Sequence, residues 1–215
     1  MKAAASLAQQ AYDHLLERIL SGALPPGTLL NRRSVADELG FSVAPVLEAV
    51  VQLESEGLLE SLARKGTRVR LASPARQYDL CILREALECQ AARLYCGAPI
   101  AKNWAELSKL ATHADDLAGD LWQAEVAFHR ALVGLADSPL LLSEFERHVR
   151  MGFFFALQQT LAPRTPRGIS LHRELLLRVK RPDPDAAERA VREHMSPSRE
   201  QLDALRKMNF AALRT

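Results

Sequence analysis

Apolar positions along the first 70 residues recur at two different spacings. Leu7, Tyr12, Leu15, Leu16 and Ile19 form a stripe at helical spacing, and Ser21-Gly22 stops it. The pattern predicts a helix over residues 6–22. "ALPPGTLL" then reads as a Pro-Pro-Gly turn running into a short extended piece. A second helix is expected over 32–39, ended by Gly40. Ser42 has the chemistry of an N-cap for a third helix running to Gly57, and Pro45 lies in its first turn, where a missing N–H costs nothing. After Gly57 the spacing changes. "LLESLARKGTRVRL" holds two short extended runs around a Lys-Gly turn, the mark of a β-hairpin.

Helix, helix, short turn, helix, hairpin is the order of a winged helix-turn-helix, so residues 1–72 are expected to form a DNA-binding domain. Residues 73–76, within "ASPAR", read as a linker. From residue 77 to 215 the patterns are helical, with breaks near Gly97 to Pro99, Gly119, Ser138-Pro139, Pro163 to Pro166 and Pro182 to Pro184. They predict about six helices of roughly 15–25 residues in an antiparallel bundle. The fold class expected is mainly α.

Charge narrows the function. The net charge is only +2, which excludes a global basic field as the means of holding nucleic acid. Residues 1–72 hold eight Lys or Arg and eight Asp or Glu. The cations cluster: Arg32 and Arg33 open the second helix, and Arg64, Lys65, Arg68 and Arg70 crowd the hairpin around Gly66. A phosphate footprint needs that distribution and not a large total.

The N-terminus reads as an amphipathic helix and not a signal peptide. No apolar run reaches the roughly 20 residues of a membrane span, so a cytoplasmic protein is expected. Cys81, Cys89 and Cys96 match no zinc spacing and are expected as small buried residues on one helix face. No nucleophile motif, phosphate loop or paired acid and base accompanies the helical half, which argues against an enzyme.

"ILSGALPPGTLL", "SVADELGFSVAPVLEAVVQLESEGLLE" and "KGTRV" resemble the N-terminal domain of GntR-type transcription regulators. "LREALECQAARL", "EVAFHRALVGLADSPLL", "LHRELLLRV" and "DPDAAERAVREHM" resemble the helical FCD effector domain of the FadR subgroup. The likeness spans roughly residues 10–205. It implies a cytoplasmic homodimer on a palindromic operator, switched by a small carboxylate effector. The family's recognition helix runs Ser-Arg-Thr-Pro-Val-Arg-Glu-Ala-Leu. Here it runs Ser42-Val43-Ala44-Pro45-Val46-Leu47-Glu48-Ala49-Val50, and both arginines are gone. Ser42, Val43, Ala44 and Leu47 remain the candidate base-reading residues, with Arg32, Arg33, Arg64, Lys65, Gly66 and Arg68 against the backbone and groove. Val43 and Leu47 cannot fork onto guanine but can touch a thymine methyl. Two readings follow: DNA recognition with an altered code, or a sensor whose winged helix has lost specific binding and acts through protein contacts.

The resemblance also implies a metal centre. Glu125 and His129 share a helix face, four residues apart, and His172 and His194 fit the family's other two histidine positions. Three imidazoles and a carboxylate suit a borderline divalent ion such as Zn, Ni or Mn. The family usually has aspartate where Glu125 stands. Arg84 resembles the arginine that opens the family's effector domain and is a candidate partner for an effector carboxylate. A simple i,i+4 pair with Glu88 is the competing expectation. His14, His113 and His148 are expected on polar rims, and at least one of Phe153, Phe154 and Phe155 in the core.

Overall fold

The computed structural model describes residues 5–71, 73–116, 121–158 and 172–195, with Asp203 and Lys207. The chain divides into two compact units, the second beginning at Ser73.

In the first unit, α1 (Leu7–Leu20) begins at Ser6, whose hydroxyl accepts from the Gln9 N–H. It buries Ala11, Tyr12, Leu15 and Ile19, mainly against α3 (Val43–Ser55). Helix α2 (Arg32–Leu39) is capped by Asn31, which accepts from the N–H groups of Arg33 and Ser34, and it ends at Gly40 in the left-handed region. Ser42 occupies the N-cap position of α3 but makes no side-chain cap bond. The opposite face of α3 buries Val46, Ala49, Val50 and Leu53. Each of the Val and Leu side chains, fully buried, contributes about 1.5–3 kcal/mol.

The hairpin is β1 (Leu59–Leu62) and β2 (Gly66–Val69), antiparallel with Leu59 opposite Val69 and Leu62 opposite Gly66. The extended piece after the Pro-Pro-Gly turn joins its free edge. Leu29 bridges Arg68, and the Leu30 N–H donates to the Thr67 carbonyl at 2.8 Å. The winged helix-turn-helix expected from the periodicity is the observed fold of this unit.

The second unit is helical throughout its described residues. It comprises α4 (Pro74–Tyr95), α5 (Ala98–Lys102), α6 (Trp104–Asp115), α7 (Leu121–Gly134), α8 (Pro139–Gln158), α9 (His172–Val179) and α10 (184–195). The number and lengths depart from the expected six long helices, since α5 and α9 have five and eight residues. Helix α4 also starts three residues earlier than expected. Pro74 occupies its first turn and Ser73 caps it. The sequence breaks at Gly119 and at Pro163 to Pro166 lie outside the described residues, as do the side chains of Phe153, Phe154 and Phe155.

The core gathers Tyr95, Ile100, Leu107, Phe128, Leu132, Phe145, Leu175, Val179 and Val191. Cys81 and Cys89 are buried and Cys96 is partly buried, all as free thiols. Ion pairs help to seat α10 on α4: Arg93 reaches Asp185 at 2.6 Å and Glu188 at 2.8 Å, and Arg192 reaches Glu85 at 2.8 Å. Gly97 makes the close approach between the α4–α5 and α9–α10 turns possible. Its φ is +81°, and a Cβ there would lie 2.9 Å from Pro182. Among the described residues, no helix is long and apolar enough to cross a membrane.

Candidate metal centre and nucleic-acid interface

The nucleic-acid candidates lie on α2, α3 and the hairpin. Leu47 is 39% exposed, Val43 is half-buried, and Ser42 and Ala44 are exposed. Val43 and Leu47 line a surface hollow with Leu29, Leu30, Arg32 and Arg33. At the hairpin tip Arg64 and Lys65 are exposed, and Arg64 takes a φ of 62°. Gly66 has a φ of +94°, with nothing within 4 Å of where a Cβ would stand. Arg68 differs from the other cations, because Glu60 across the hairpin holds it at 2.8 Å. Arg32, Arg33, Arg64 and Lys65 make no ion pair among the described residues.

The metal candidates come from three helices. His129 is on α7, His172 opens α9, and His194 sits near the end of α10. Their ring centroids are 4.9–5.4 Å apart, and one ligand nitrogen from each lies within 4.8 Å of the others. Phe128 packs edge-on against His129 and His172, at 5.3 and 5.0 Å. The cluster therefore has an apolar wall, and His129 and His172 are buried.

Two carboxylates aim these rings. The buried Glu88 of α4 lies 2.5 Å from Nδ1 of His129. Asp115, the last residue of α6, lies 2.9 Å from Nδ1 of His172. It also accepts from the backbone N–H groups of His172 and Arg173 at 3.2 and 3.3 Å. One carboxylate thus caps α9 and orients its first side chain, placing negative charge at the positive end of the helix. In the tautomer whose Nδ1–H donates to the carboxylate, each of these two rings turns its Nε2 lone pair toward the cluster.

The cluster leaves ring nitrogens without a hydrogen bond. Nε2 of His172 and Nδ1 of His194 are buried with no hydrogen bond. Nε2 of His129 faces Nε2 of His194 at 3.3 Å, where at most one of the two can donate. Burial, reinforced by His129 and His172, holds His194 down to about 3. Burial and then His129 also lower His172, against the opposing pull of Asp115. Converging imidazoles, buried nitrogens without a hydrogen bond and carboxylates behind two rings are the donor set a divalent ion requires. Two bonds of about 2.0–2.1 Å reach across the 3.3 Å separation. The residues present fit such an ion.

Glu125 is placed differently. It lies beside the cluster, and its charge acts on both His172 and His194. Its carboxylate is not among the converging ligand atoms and instead meets Nη1 of Arg84 at 3.2 Å. Arg84 also donates to Glu88 at 2.6 Å, the i,i+4 pair weighed from the sequence. Burial alone would raise the Glu88 carboxyl. His129 and Arg84 outweigh it and hold Glu88 well below the usual carboxylate range. The third guanidinium nitrogen of Arg84, Nη2, is buried with no hydrogen bond.

Residues 7–69 match the bacterial regulatory proteins of the gntR family, and residues 79–197 match the FCD domain. The chain belongs to the GntR family, in its FCD-bearing group. A probable D-xylose utilization operon transcriptional repressor of Paenarthrobacter nicotinovorans is 28% identical over 207 residues, covering 89% of this chain and 86% of the relative. The HTH-type transcriptional repressor RspR of Escherichia coli (strain K12) is 25% identical over 210 residues, covering 94% and 91%. Among solved structures, E. coli McbR/YncC matches with a TM-score of 0.72 at 25% identity, over 94% of this chain and 99% of that one. A putative GntR regulator from Rhodococcus sp. RHA1 shares the fold, with a TM-score of 0.74 at 22% identity over 93% and 99%. This GntR protein is a transcriptional regulator with an FCD effector domain, not an enzyme, and its partner is operator DNA.

Two residues central to the cluster had no role there in the sequence reading. Glu88 stood only as a partner for Arg84, and Asp115 had no role, because "HADD" carries no helical or ligand spacing toward His172. His148 corrects another expectation. It is buried, with Nδ1 2.6 Å from the Glu144 carbonyl, and not on a polar rim. His113 is exposed as expected, and His14 lies 3.5 Å from Glu38.

Proposed function

We propose that this GntR regulator is a cytoplasmic homodimeric repressor that binds a palindromic operator and responds to a small carboxylate through a metal-centred pocket. His129, His172 and His194 hold a divalent ion, Zn, Ni or Mn, inside the FCD domain. The observation that carries this reading is the convergence of three imidazoles, with Nε2 of His172 lacking a hydrogen-bond partner and Nε2 of His129 meeting only Nε2 of His194. When bound, the ion supplies open coordination positions for a carboxylate's oxygen atoms. Arg84 offers its buried Nη2 to the same anion. Glu125, which meets Arg84 through Oε1, serves as a fourth ligand by turning its carboxylate toward the ion. Glu88 and Asp115 keep the rings in the tautomer that ligation needs.

Repression follows the names of the two relatives above, both called repressors. The palindrome follows from a two-fold dimer, whose symmetry the site must match. Effector and operator are coupled: whatever factor the effector imposes on operator affinity, the operator imposes on effector affinity.

Metal analysis of protein purified without chelator tests the centre. We expect a stoichiometric divalent ion in the parent and little in His172→Ala. Equal metal content in the two, or none in the parent, overturns it. The coupling is tested by gel shifts with and without candidate organic acids.

A further inference from the structure

The exposed face of α3 carries aliphatic side chains. Leu47 is 39% exposed and Val51 63% exposed, and Val43, Leu47 and Val51 follow one another at one-turn spacing. Leu29, 57% exposed, borders them from the extended segment. Among the exposed residues of α3 there is no cation. Glu48 is a carboxylate, and the Gln52 amide donates to Glu56 at 3.2 Å. Exposing several aliphatic side chains along one helix is unfavourable unless something covers them.

The rim says what covers them. Leu29, Leu30, Val43 and Leu47 line a hollow of about 490 Å³ whose remaining wall includes Arg32 and Arg33. Those two cations make no ion pair among the described residues, nor do Arg64 and Lys65 on the hairpin. An apolar floor bordered by uncompensated cations is complementary to a surface with outlying phosphates and apolar groups between them. The major groove of an A·T-rich duplex is such a surface, because thymine alone presents a C5 methyl there.

We propose that Val43, Leu47 and Val51 read thymine methyl groups in the operator, while Arg32 and Arg33 fix the register on the phosphates. The assignment rests on the operator-binding reading above and adds its code. The N-terminal residues of a recognition helix contact base edges, so Val43 and Leu47 are the principal readers and Val51, two turns after Val43, is the outermost. Aliphatic side chains can extract no other positive signal from a base edge, since they neither donate nor accept hydrogen bonds. Burying one methyl corresponds to roughly a fourfold change in affinity. Specificity then accumulates from several modest contacts instead of one strong fork.

The test uses the full-length protein. Selection from random duplexes at physiological salt should return half-sites with thymines at fixed positions. Each of those thymines is then replaced by deoxyuridine, which removes only the methyl. At the contacted positions the parent should lose about fourfold per replacement. Leu47→Ala should bind the selected site more weakly and be indifferent to the replacement at its own position. Leu47→Met, still apolar and flexible, should recover part of the sensitivity. A selected site that binds equally well with deoxyuridine throughout overturns the methyl code and leaves operator binding intact. Failure of any duplex to outcompete random DNA overturns operator binding, and the code with it. Leu47 is exposed, so a matching thermal melt for each variant ties the change to the interface.

Discussion

The histidine cluster and the recognition face use side chains in opposite ways. At the cluster, buried polar groups are held by partners on several helices: Glu88 from α4 and Asp115 from α6 aim rings on α7 and α9. At the recognition face, the side chains expected to make the strongest contacts are absent, and aliphatic groups stand open to water. A buried group with a wrong partner costs several kcal/mol, whereas an exposed side chain is exchanged at almost no cost to the fold. The interior therefore keeps its three imidazoles and departs only at Glu125, while the surface is free to change its code. Departures from a family pattern mean different things in the two places.

The contrast sharpens first at Glu88. Replacing it with alanine leaves Arg84 and His129 buried beside lost charge. Unfolding in urea should show a destabilisation of about 3–5 kcal/mol. Leu47→Ala, measured the same way, should stay within about 0.5 kcal/mol. Similar losses at the two positions would erase the distinction. Asp115→Ala comes next. It removes the cap of α9 and the partner of His172, so stability should fall by about 1–2 kcal/mol. Metal affinity should fall by about 10–100-fold, read by competition with a chromogenic chelator.

Acid tests the interior from another side. His172 and His194 sit below the ordinary value of 6.5 when folded, His194 at about 3. In metal-free protein the unfolded chain takes up those protons first. This contribution is present in full above about 6.5 and is lost as the pH falls toward 3. Glu88 adds loss in the same direction at lower pH, because its folded carboxyl titrates below its unfolded value. Urea midpoints should therefore drop between pH 7.5 and pH 5, and a flat profile would show that the rings are solvated. The smallest effect on stability belongs to the double variant Val43→Arg and Leu47→Arg. It should leave the melt unchanged, raise duplex affinity and shift preference toward G-containing sites.

How much of this was legible in the chain follows the same division. Periodicity and punctuation located α1 to α3 and the hairpin because each rests on neighbours within a few residues: a Ser6 or Asn31 cap, Gly40, the Lys65-Gly66 turn. Helix α4 starts at Pro74, inside the expected linker. Ser73-Pro74 reads equally as a linker and as a cap followed by a first-turn proline, and only packing decides. The histidine positions came from family resemblance, since 43 residues separate His129 from His172 and no helical spacing links them. Glu88 and Asp115 were out of reach for the same reason: their partners lie 41 and 57 residues away. In the second unit, which residues of distant helices meet is settled by the assembled core, not by local pattern. The exposure of Leu47 was legible, because the buried stripe through Val46, Val50 and Leu53 leaves it on the other side.

Asp115 deserves a last consequence. The same two oxygens grip the imidazole of His172 and fasten the opening N–H groups of α9. A tug on that ring is also a tug on the start of the helix. Filling or emptying the cluster should then register as a change in hydrogen-exchange protection at the amides of 172 and 173, some way along the backbone from any ligand atom.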